Sequence, residues 1–598
     1  MAERRPNIVL IITDQERAHR HWPRGWAEKN LPTHYDRLIG CRGREDRSSV
    51  VFPNAFTATT ECCPSRASLL TSSYPTEHGV KTTPGSLDPG WDLDADEEFD
   101  ETKRRRPNLL RLLSTTRQTG DGEINQRGYD VGWKGKWHLS HFHSGYGYQR
   151  STTEASMLKW YGATSPWNPP DAGHSLSHPA TLGGGRKFNH DGRYLRGLKK
   201  RFDGVDAINA VNTLVDPYLS SDDDSDDSGE TLSEEEECIF DFLARHTLPA
   251  ENKGDDNTSV NSQRSSDVQP FFLVASLVNP HDVWASSCFS HLTDEEFYIK
   301  TGYHPRDFEA IPIDLPPNHK DDLSTKPLIQ SILNGHHAFG DLPDKIDQSN
   351  VQRQSDALRY IRFYAFLHKA VDAEIGSLLD ALDATGRMDN TIILRMADHG
   401  EQALSHGLRE KRMQCYEETM KIPLVVNYPT GWFDDNADNK VNGHAKRINS
   451  CLVSSIDILP TIAELAGIDC SSHLYRGKSL VPLLRNDNPH IDNIKDEILF
   501  TFDEPLAPAG IPGFIRCIRT SGYKYAVYYT ADGETVEYEM YDLCTDPYEM
   551  SNLCGPEIDP NDLWYDYHER LTKLMVKMGA VPSEFDWKML RPRRYSWV

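Results

Sequence analysis

The sequence predicts an α/β fold in which helices flank a large, mostly parallel sheet, with a smaller antiparallel α+β subdomain after it. The first observation is a set of continuous apolar runs, which are typical of parallel strands buried on both faces. These runs are Asn7–Thr13, Phe271–Val278, Thr391–Met396 and the shorter Pro423–Val426. The second observation is a series of apolar residues at helical spacing from Asp356 to Leu382, which stops near Gly386. Strands that alternate with helices indicate a layered fold with a parallel sheet.

A change of pattern near residue 490 predicts the second unit. The segments that follow are alternating strands, an Asp-Gly turn that favours a hairpin, and one amphipathic helix. They are the strands Phe514–Arg519, Tyr523–Tyr529 and Val536–Tyr541, the turn at Asp532 and Gly533, and the helix Asp562–Met578. We therefore expect a main domain over residues 1–490 and an α+β subdomain over residues 491–598.

Charge and composition exclude several kinds of partner. The 598 residues include 90 acidic and 65 basic side chains, and this net charge of −25 argues against nucleic-acid binding. Ten of the acidic residues lie between Asp222 and Glu237. We expect two polar inserts, at 220–237 and 251–269, to be flexible loops. No apolar run reaches the roughly 20 residues that cross a bilayer, so we expect no membrane segment.

The start of the chain and its cysteines indicate a compartment. The first predicted strand begins at Asn7, which leaves no room for the apolar core of a signal peptide. Eleven cysteines without a framework spacing fit a reducing environment. We therefore expect a cytoplasmic protein, and the sequence indicates nothing about its oligomeric state.

Cys62 begins the most informative segment, Cys62-Cys63-Pro64-Ser65-Arg66-Ala67. Proline favours the first position of a helix, so we predict a helix over Ser65–Ser72 with Cys62 at its N-terminal end. Free N–H groups and the helix dipole favour an anion there, and Arg66 offers planar donors to an oxyanion. The alternative is a capped core helix with two buried cysteines, which are common interior residues.

Two predicted strands end in acidic residues. Asp14 and Gln15 follow the first strand, and Asp398 and His399 follow the strand that ends at Met396. The carboxyl ends of parallel strands meet at one edge of a sheet, where oxygen ligands favour a hard divalent cation. Each acid alone could instead cap a helix. Together, beside Cys62, they predict a metal site for calcium, with magnesium or manganese as alternatives.

Six motifs, in the family's order, resemble the sulfatase family. They are Asp14-Gln15, the Cys62-x-Pro-Ser-Arg signature, Gly135-Lys136-Trp137-His138-Leu139, Asn279-Pro280-His281, Asp398-His399 with Lys411 after it, and Tyr541-Asp542-Leu543. The resemblance runs from about Pro6 to Leu553, and it implies an alkaline-phosphatase-like fold. It also implies that the main domain carries the catalytic residues.

In that family the motif cysteine is converted by a dedicated maturation enzyme to formylglycine, an aldehyde whose hydrate is the nucleophile. The resemblance implies that Cys62 undergoes this conversion. It also implies one bound divalent cation, whose ligands would be Asp14, Gln15, Cys62, Asp398 and His399.

The resemblance further implies the roles of the other catalytic residues. Arg66 would orient the nucleophile, and His281 would protonate the departing alcohol or phenol. Charge on the transferred group would be stabilised by Lys136, His138 and Lys411. Because Lys411 and Arg412 are adjacent, that assignment could shift by one residue.

Two positions depart from the commonest family pattern, namely Gln15 in place of Asp and His399 in place of Asn. This pair is similar to that of choline sulfatases and phosphonate monoester hydrolases. The expected function is hydrolysis of a small-molecule sulfate monoester to sulfate and an alcohol or phenol. Two alternatives stay open: a phosphonate monoester or phosphodiester hydrolase on the same scaffold, and a non-catalytic binding protein in which Cys62 stays a thiol.

Overall fold

The computed structural model describes the greater part of the chain. The described residues are 5–44, 46–82, 108–115, 117–118, 124–126, 128–139, 164, 237–248, 269–288, 292–335, 351–433, 446–470, 475–485, 494–504, 507, 510–555, 558, 560–582 and 586–592. The two predicted polar inserts lie outside these ranges, apart from Glu237 and Gln269. Their expected flexibility therefore stays a prediction.

Sixteen strands form the sheets of the described part. They are β1 Asn7–Asp14, β2 Arg47–Val51, β3 Ala55–Phe56, β4 Arg117–Gln118, β5 Ile124–Gln126, β6 Asp130–Gly135, β7 Phe271–Pro280, β8 Thr391–Ala397, β9 Lys421–Ile422, β10 Leu424–Pro429, β11 Lys446–Ile448, β12 Val453–Ser454, β13 Glu497–Asp503, β14 Phe514–Thr520, β15 Tyr523–Tyr529 and β16 Val536–Asp542. Seven of them make the central sheet in the order β11-β2-β10-β8-β1-β7-β6. Smaller sheets have the orders β12-β3-β9 and β4-β5.

The central sheet is mostly parallel, as predicted. β1 pairs in parallel with β7 and β8, and β6 pairs in parallel with β7. β10 differs, because it runs antiparallel to both β8 and β2. A parallel neighbour needs a crossover that carries the chain back to the starting edge. The segment between β8 and β10 stays at the carboxyl edge, so β10 enters the sheet from that edge.

Helices pack on the sheet and alternate with the strands along the chain. The α-helices are Trp26–Asn30, Cys62–Thr71, Pro75–His78, Leu109–Ser114, Ile239–Arg245, Val283–Cys288, Asp294–Thr301, Leu328–Gly335, Val351–Ala384, Glu417–Met420, Ile458–Leu465, Val481–Leu484 and Asp562–Met578. A π-helix spans Thr33–Ile39, and short 3-10 helices span His19–His21, Pro305–Asp307, Leu323–Thr325, Met388–Asn390, Ser405–Gly407, Ser455–Asp457 and Trp587–Leu590. None of the helices in the described ranges combines the length and the apolar character that a bilayer crossing requires.

The apolar run of β1 is continuous because both faces of the strand are buried. Ile8, Leu10 and Ile12 belong to one core cluster, and Val9 and Ile11 belong to a second cluster on the opposite face. Successive side chains of a strand point to opposite faces. The helix Val351–Ala384 supplies much of the second cluster, which accounts for its apolar face.

The C-terminal sheet has the order β13-β14-β15-β16 and is antiparallel throughout. The Asp532-Gly533 turn joins β15 to β16, and Gly533 has a φ of 73°, a conformation that glycine adopts without strain. The helix Asp562–Met578 packs on this sheet through a shared core that includes Leu571 and Met575. The domain boundary at residue 490 stays a prediction, although this sheet begins shortly after it.

Candidate active site

The pairing of β1 with β8 brings the two acidic strand ends together. Thr13 lies opposite Ala397 in this parallel register, so Asp14 and Asp398 leave the sheet side by side. The backbone N–H of Gln15 donates to Asp398 Oδ1 at 3.1 Å. Both carboxyl groups are fully buried. The predicted convergence of the two strand ends is therefore present.

Cys62 is the first residue of the helix Cys62–Thr71, whose N-cap is Glu61. The helix thus begins three residues before the predicted start at Ser65. Pro64 lies inside the first turn, where no N–H needs an intrahelical acceptor, so proline is tolerated there. Ser65 Oγ donates to the backbone oxygen of Asp398 at 2.6 Å, which fixes the helix start against the end of β8.

Four potential ligands surround one point at this edge. The ligand atoms of Asp14, Cys62, Asp398 and His399 all lie within 4.8 Å of one another, and all four residues are buried. Cys62 Sγ lies 3.4 Å from Asp14 Oδ1 and 3.1 Å from His399 Nε2.

The imidazole of His399 is oriented by its backbone neighbour. Nδ1 lies 2.9 Å from the carbonyl oxygen of Gly400 and must donate to it, because a carbonyl oxygen only accepts. The neutral ring then has an unprotonated Nε2, and this atom faces Cys62 and the carboxyl groups. Such a hydrogen bond on the far nitrogen is the usual partner of a metal-binding histidine.

Arg66 joins the two carboxyl groups. Its Nη2 donates to Asp14 Oδ2 and its Nε donates to Asp398 Oδ2, both at 3.0 Å. Nη1 donates to the backbone oxygen of Lys136 and to Ser276 Oγ. The sequence favours Arg66 as a donor to an oxyanion, whereas the structure places these donors on carboxylates, because both strand ends lie within its reach.

Lys136 is the second positively charged side chain beside the two carboxyl groups. It follows β6 directly, is fully buried, and places Nζ 2.7 Å from Asp14 Oδ2. Burial alone would lower the pKa of Lys136, but Asp14 and Cys62 outweigh it and raise the pKa. The ammonium group therefore stays charged at neutral pH.

The buried charges shift the pKa values of the acidic groups in different directions. Burial alone would raise the pKa of Asp14, but the charges of Lys136 and Arg66 outweigh it, so the pKa lies well below its ordinary value. Burial raises the pKa of Asp398, and the Asp14 carboxylate raises it further. Burial and then Asp14 raise the pKa of the Cys62 thiol to about 12.

The structure separates the roles of Lys411 and Arg412. Lys411 Nζ donates to Gln15 Oε1, and burial, which lowers the pKa of Lys411, is outweighed by Cys62 and Glu410, which raise it. Arg412 points elsewhere and forms ion pairs with Glu61 and Glu504. Lys411 is thus the side chain that faces the site. Ligation of a metal by Gln15 stays a prediction, since its amide oxygen contacts Lys411.

The two predicted histidines lie on different segments. His138 is buried two residues after Lys136 and has a φ of 56°. His281 follows β7 directly and is half-buried. Burial lowers the pKa of His281 well below its ordinary value, and Lys136 lowers it further. The imidazole of His281 is therefore neutral in the free protein.

The donor set fits a divalent cation. Two carboxyl groups and the imidazole of His399 converge with Cys62, whose side chain carries sulfur here and would carry oxygen after conversion to formylglycine. Oxygen-rich sets suit calcium, magnesium or manganese. Because Arg66 and Lys136 balance the acids, the site holds its shape through ion pairs.

A second buried group joins His406, Glu418 and Glu549 within 4.8 Å. His406 Nδ1 lies 2.7 Å from Asp321 Oδ2, and Glu549 is paired with Lys524 of the C-terminal sheet. With these partners, the group is a buried network of polar side chains between the main domain and that sheet.

Three residues of the site gave no separate signal in the sequence. Ser65 lies inside the Cys62 signature, and Glu401 lies between the Asp398-His399 pair and Lys411. Ser276 lies within the apolar run of β7 and donates to the Lys136 backbone oxygen at 2.7 Å. Their contacts depend on segments that are distant in sequence.

Two family models match the chain. The model described as Sulfatase matches residues 6–468. The model described as N-sulphoglucosamine sulphohydrolase, C-terminal, matches residues 404–577.

Two of the curated relatives match over most of their length. The ulvan-active sulfatase of Formosa agariphila is 25% identical over 603 residues, which cover 99% of this chain and 85% of the relative. The human N-acetylglucosamine-6-sulfatase is 24% identical over 612 residues, which cover 98% of this chain and 87% of the relative.

Solved structures share the fold. A protein in complex with its substrate D-glucosamine-2-N,6-O-disulfate superimposes with a TM-score of 0.58 at 19% identity, covering 97% of this chain and 99% of that chain. The phosphonate monoester hydrolase of Agrobacterium radiobacter has a TM-score of 0.55 at 19% identity, with 96% of each chain covered. These likenesses confirm the predicted fold class.

Proposed function

This chain belongs to the sulfatase family and is a sulfuric ester hydrolase, and we propose that it cleaves sulfate monoesters of sugar hydroxyl groups. We propose that it does so with a formylglycine made from Cys62 and one bound divalent cation. The observation that carries this proposal is the convergence of Asp14, Asp398 and His399 on Cys62 within 4.8 Å.

The environment of Cys62 argues against catalysis by a thiolate. Reactive cysteines have a lowered pKa, because the thiolate is the nucleophile. Burial and Asp14 instead raise the pKa of Cys62 to about 12, so the thiol stays protonated at neutral pH. Conversion to an aldehyde hydrate would supply an oxygen nucleophile at the same place. This conversion requires a formylglycine-generating enzyme in the host.

Asp14, Asp398 and His399 would hold the cation, with position 62 completing the set and Gln15 beside it. When bound, a divalent cation polarises sulfate oxygens and lowers the pKa of a hydroxyl group that it contacts. We propose calcium, because oxygen donors predominate in this set, namely the two carboxyl groups and the converted side chain at position 62.

Basic side chains would stabilise the charge on the transferred group. Lys136 and Lys411 are both buried, so their ammonium charges act in a medium of low polarity. His138 lies in the same loop as Lys136 and would add a third contact. Arg66 would keep the two carboxyl groups in place, and so would orient the nucleophile indirectly.

His281 would give the proton to the leaving alcohol. The imidazole is neutral in the free protein because burial and Lys136 lower its pKa. A nearby anion favours the protonated form of histidine. An incoming sulfate ester would therefore raise the pKa of His281 and make it a proton donor in the complex.

The names of the relatives support a sugar as the leaving group. The relative from Formosa agariphila is named an ulvan-active sulfatase, and the human relative is named an N-acetylglucosamine-6-sulfatase. We therefore propose a carbohydrate sulfate as the substrate class.

Release of inorganic sulfate from D-glucosamine-6-sulfate and from an aryl sulfate tests the proposal. The protein is produced together with a formylglycine-generating enzyme, and mass spectrometry of the Cys62 peptide measures the conversion. Cys62→Ala should abolish turnover. Cys63→Ala is the matched control, because the neighbouring thiol is equally buried but has no proposed role.

Two results would contradict the proposal. Strong turnover of an aryl phosphonate beside negligible sulfate release would favour the phosphonate hydrolase alternative. An unmodified Cys62 thiol in protein from its native source, together with no turnover of any ester, would favour a binding protein.

A further inference from the structure

Glu401 is a buried carboxylate for which the proposed reaction has no role. Its Oε1 accepts hydrogen bonds from Tyr360 OH at 2.8 Å, from the Glu410 N–H at 2.7 Å and from the Ala403 N–H at 3.1 Å. Its Oε2 accepts from Gln15 Nε2 at 2.5 Å. A fully buried carboxyl group with four donors around it is held in one orientation.

The contact with Glu401 decides which way the Gln15 amide faces. Nε2 only donates and Oε1 only accepts. Nε2 donates to Glu401 at 2.5 Å and to Glu410 Oε2 at 3.2 Å, while Oε1 accepts from Lys411 Nζ. A flipped amide would set its oxygen against two carboxylates and its NH₂ against an ammonium group. The two acids therefore exclude the flipped orientation.

The Gln15 oxygen orients Lys411 without neutralising it. Lys411 is buried, so its position depends on its protein contacts rather than on solvent. Among the residues that the structure describes, its other close polar contact is Glu410 Oε2 at 3.4 Å, which is longer than an ordinary charge-assisted hydrogen bond. A neutral acceptor at position 15 leaves the ammonium charge available to an anionic substrate.

We propose that Glu401 is a positioning residue that, through the Gln15 amide, fixes the ammonium group of Lys411 where the reacting sulfate binds. This role rests on the proposed sulfatase function and deepens it. It also gives a physical reason for glutamine at a position where the family commonly has aspartate, because a third carboxylate beside Glu401 and Glu410 would repel both.

Glu401→Gln is the first test. The new amide keeps the shape of the side chain, and its oxygen can still accept from Tyr360 and the two backbone N–H groups. Its NH₂ group, however, would face the NH₂ group of Gln15, which would then flip and turn its own NH₂ toward Lys411. We expect kcat to fall by about 10- to 100-fold with KM changed by less than about threefold, since a displacement of about 1 Å has effects of this size.

A second change at position 15 separates positioning from a structural role. Gln15→Ala removes the amide through which Glu401 is proposed to act. If Glu401 acts through Gln15, adding Glu401→Gln to Gln15→Ala should lower kcat by less than about threefold, because residues in one hydrogen-bond network are not additive. A purely structural role predicts the same loss of kcat with and without Gln15→Ala.

Glu539→Gln is the matched control. Glu539 is equally buried and accepts from Gln330 Nε2 at 2.9 Å and from Tyr528 OH at 2.8 Å, but it lies in the C-terminal sheet. The same substitution there should change stability while kcat stays within about threefold of the wild-type value. If Glu401→Gln does not fold, Glu401→Asp replaces it, because the shorter carboxylate withdraws from Gln15, and the same loss of kcat is expected.

The outcomes separate the two proposals. A wild-type protein that is matured at Cys62 but hydrolyses no sulfate ester contradicts the proposed function and this role with it. An active wild-type protein contradicts the role of Glu401 alone if Glu401→Gln keeps its kcat within about threefold. The role is also overturned if the loss of kcat is the same with and without the change at position 15.

Discussion

Arg66→Ala should destabilise the protein much more in a chelator than in excess calcium. The Arg66 side chain is 1% exposed and donates to one oxygen of Asp14 and one oxygen of Asp398, each at 3.0 Å. Removing one partner from a buried ion pair costs about 3–5 kcal/mol, because the other charge stays buried without it. We expect a loss of this size in the free energy of unfolding when no cation is present.

A bound cation should compensate for the missing guanidinium group. Calcium bound to the native state stabilises both proteins, so only a difference in calcium affinity compensates for the lost guanidinium group. The two carboxyl groups, freed from Arg66, should bind calcium about 100-fold more tightly than in the wild-type protein, which corresponds to about 2.7 kcal/mol. The expected loss in excess calcium is therefore about 2 kcal/mol or less.

Urea unfolding followed by tryptophan fluorescence, in EDTA and in calcium, measures both values. Arg412→Ala is the matched control, because Arg412 also joins two acids, Glu61 and Glu504, which lie outside the group of potential metal ligands. Its loss of stability should be the same in both buffers. An Arg66→Ala variant that is as stable as the wild-type protein in EDTA, or that loses the same amount in both buffers, would refute the reasoning.

Three further predictions concern acid stability, catalysis and packing. Burial lowers the pKa of His568 to about 4, so the unfolded chain takes up this proton first as the pH falls. As the pH falls from about 6.5, the ordinary pKa of histidine, to the folded pKa, the free energy of unfolding should decrease by up to about 3 kcal/mol. Urea unfolding at the two ends of this pH range measures the decrease, and His568→Gln should remove it. Lys136→Met keeps the length of the side chain without its ammonium group, and it should lower kcat for sulfate release by about 100-fold while the circular dichroism spectrum is unchanged. A Cβ added by Gly400→Ala would lie 2.0 Å from the backbone oxygen of Glu418, so the free energy of unfolding should fall by at least about 1–3 kcal/mol. Gly522→Ala is its control, because the nearest atom to the added Cβ lies at 3.6 Å.

Segments with a clear period were predicted closely. The strand Tyr523–Tyr529 and the helix Asp562–Met578 have the predicted bounds, and β1, β7 and β8 differ only by one or two residues at their ends. In these segments the apolar period matches the buried face, so local pattern and tertiary packing favour the same structure.

β6 is a strand that the local sequence pattern does not predict. Its sequence Asp-Val-Gly-Trp-Lys-Gly indicates a glycine-rich turn, and Lys134 suggests a surface position. In the structure Lys134 is fully buried and its Nζ lies 2.9 Å from Glu237 Oε2. Gly132 faces the ring of Phe242, which a Cβ at this position would approach to 2.6 Å. Both partners belong to a segment that is distant in sequence, so no local period could indicate them.

The sequence by itself determined the identities of the chemical groups of this site. Asp14, Cys62, Lys136, His281 and Asp398 each stand in a motif whose residue types suit the chemistry of a sulfate ester. Asp14, His281 and Asp398 follow apolar runs that predict strands, and Cys62 precedes a proline that predicts a helix start. Lys136 was indicated only by the resemblance of its motif to the sulfatase family. The residues expected at the site could therefore be named before any contact was known.

The tertiary structure alone decided how these groups face one another. It placed Arg66 on two carboxylates, Lys411 rather than Arg412 at the site, and Glu401 behind Gln15. Each of these contacts joins segments that are distant in the chain, and their directions follow from strand register and burial. A local pattern cannot encode them, because hydrogen-bond direction and pKa depend on all the groups that packing brings within a few ångströms.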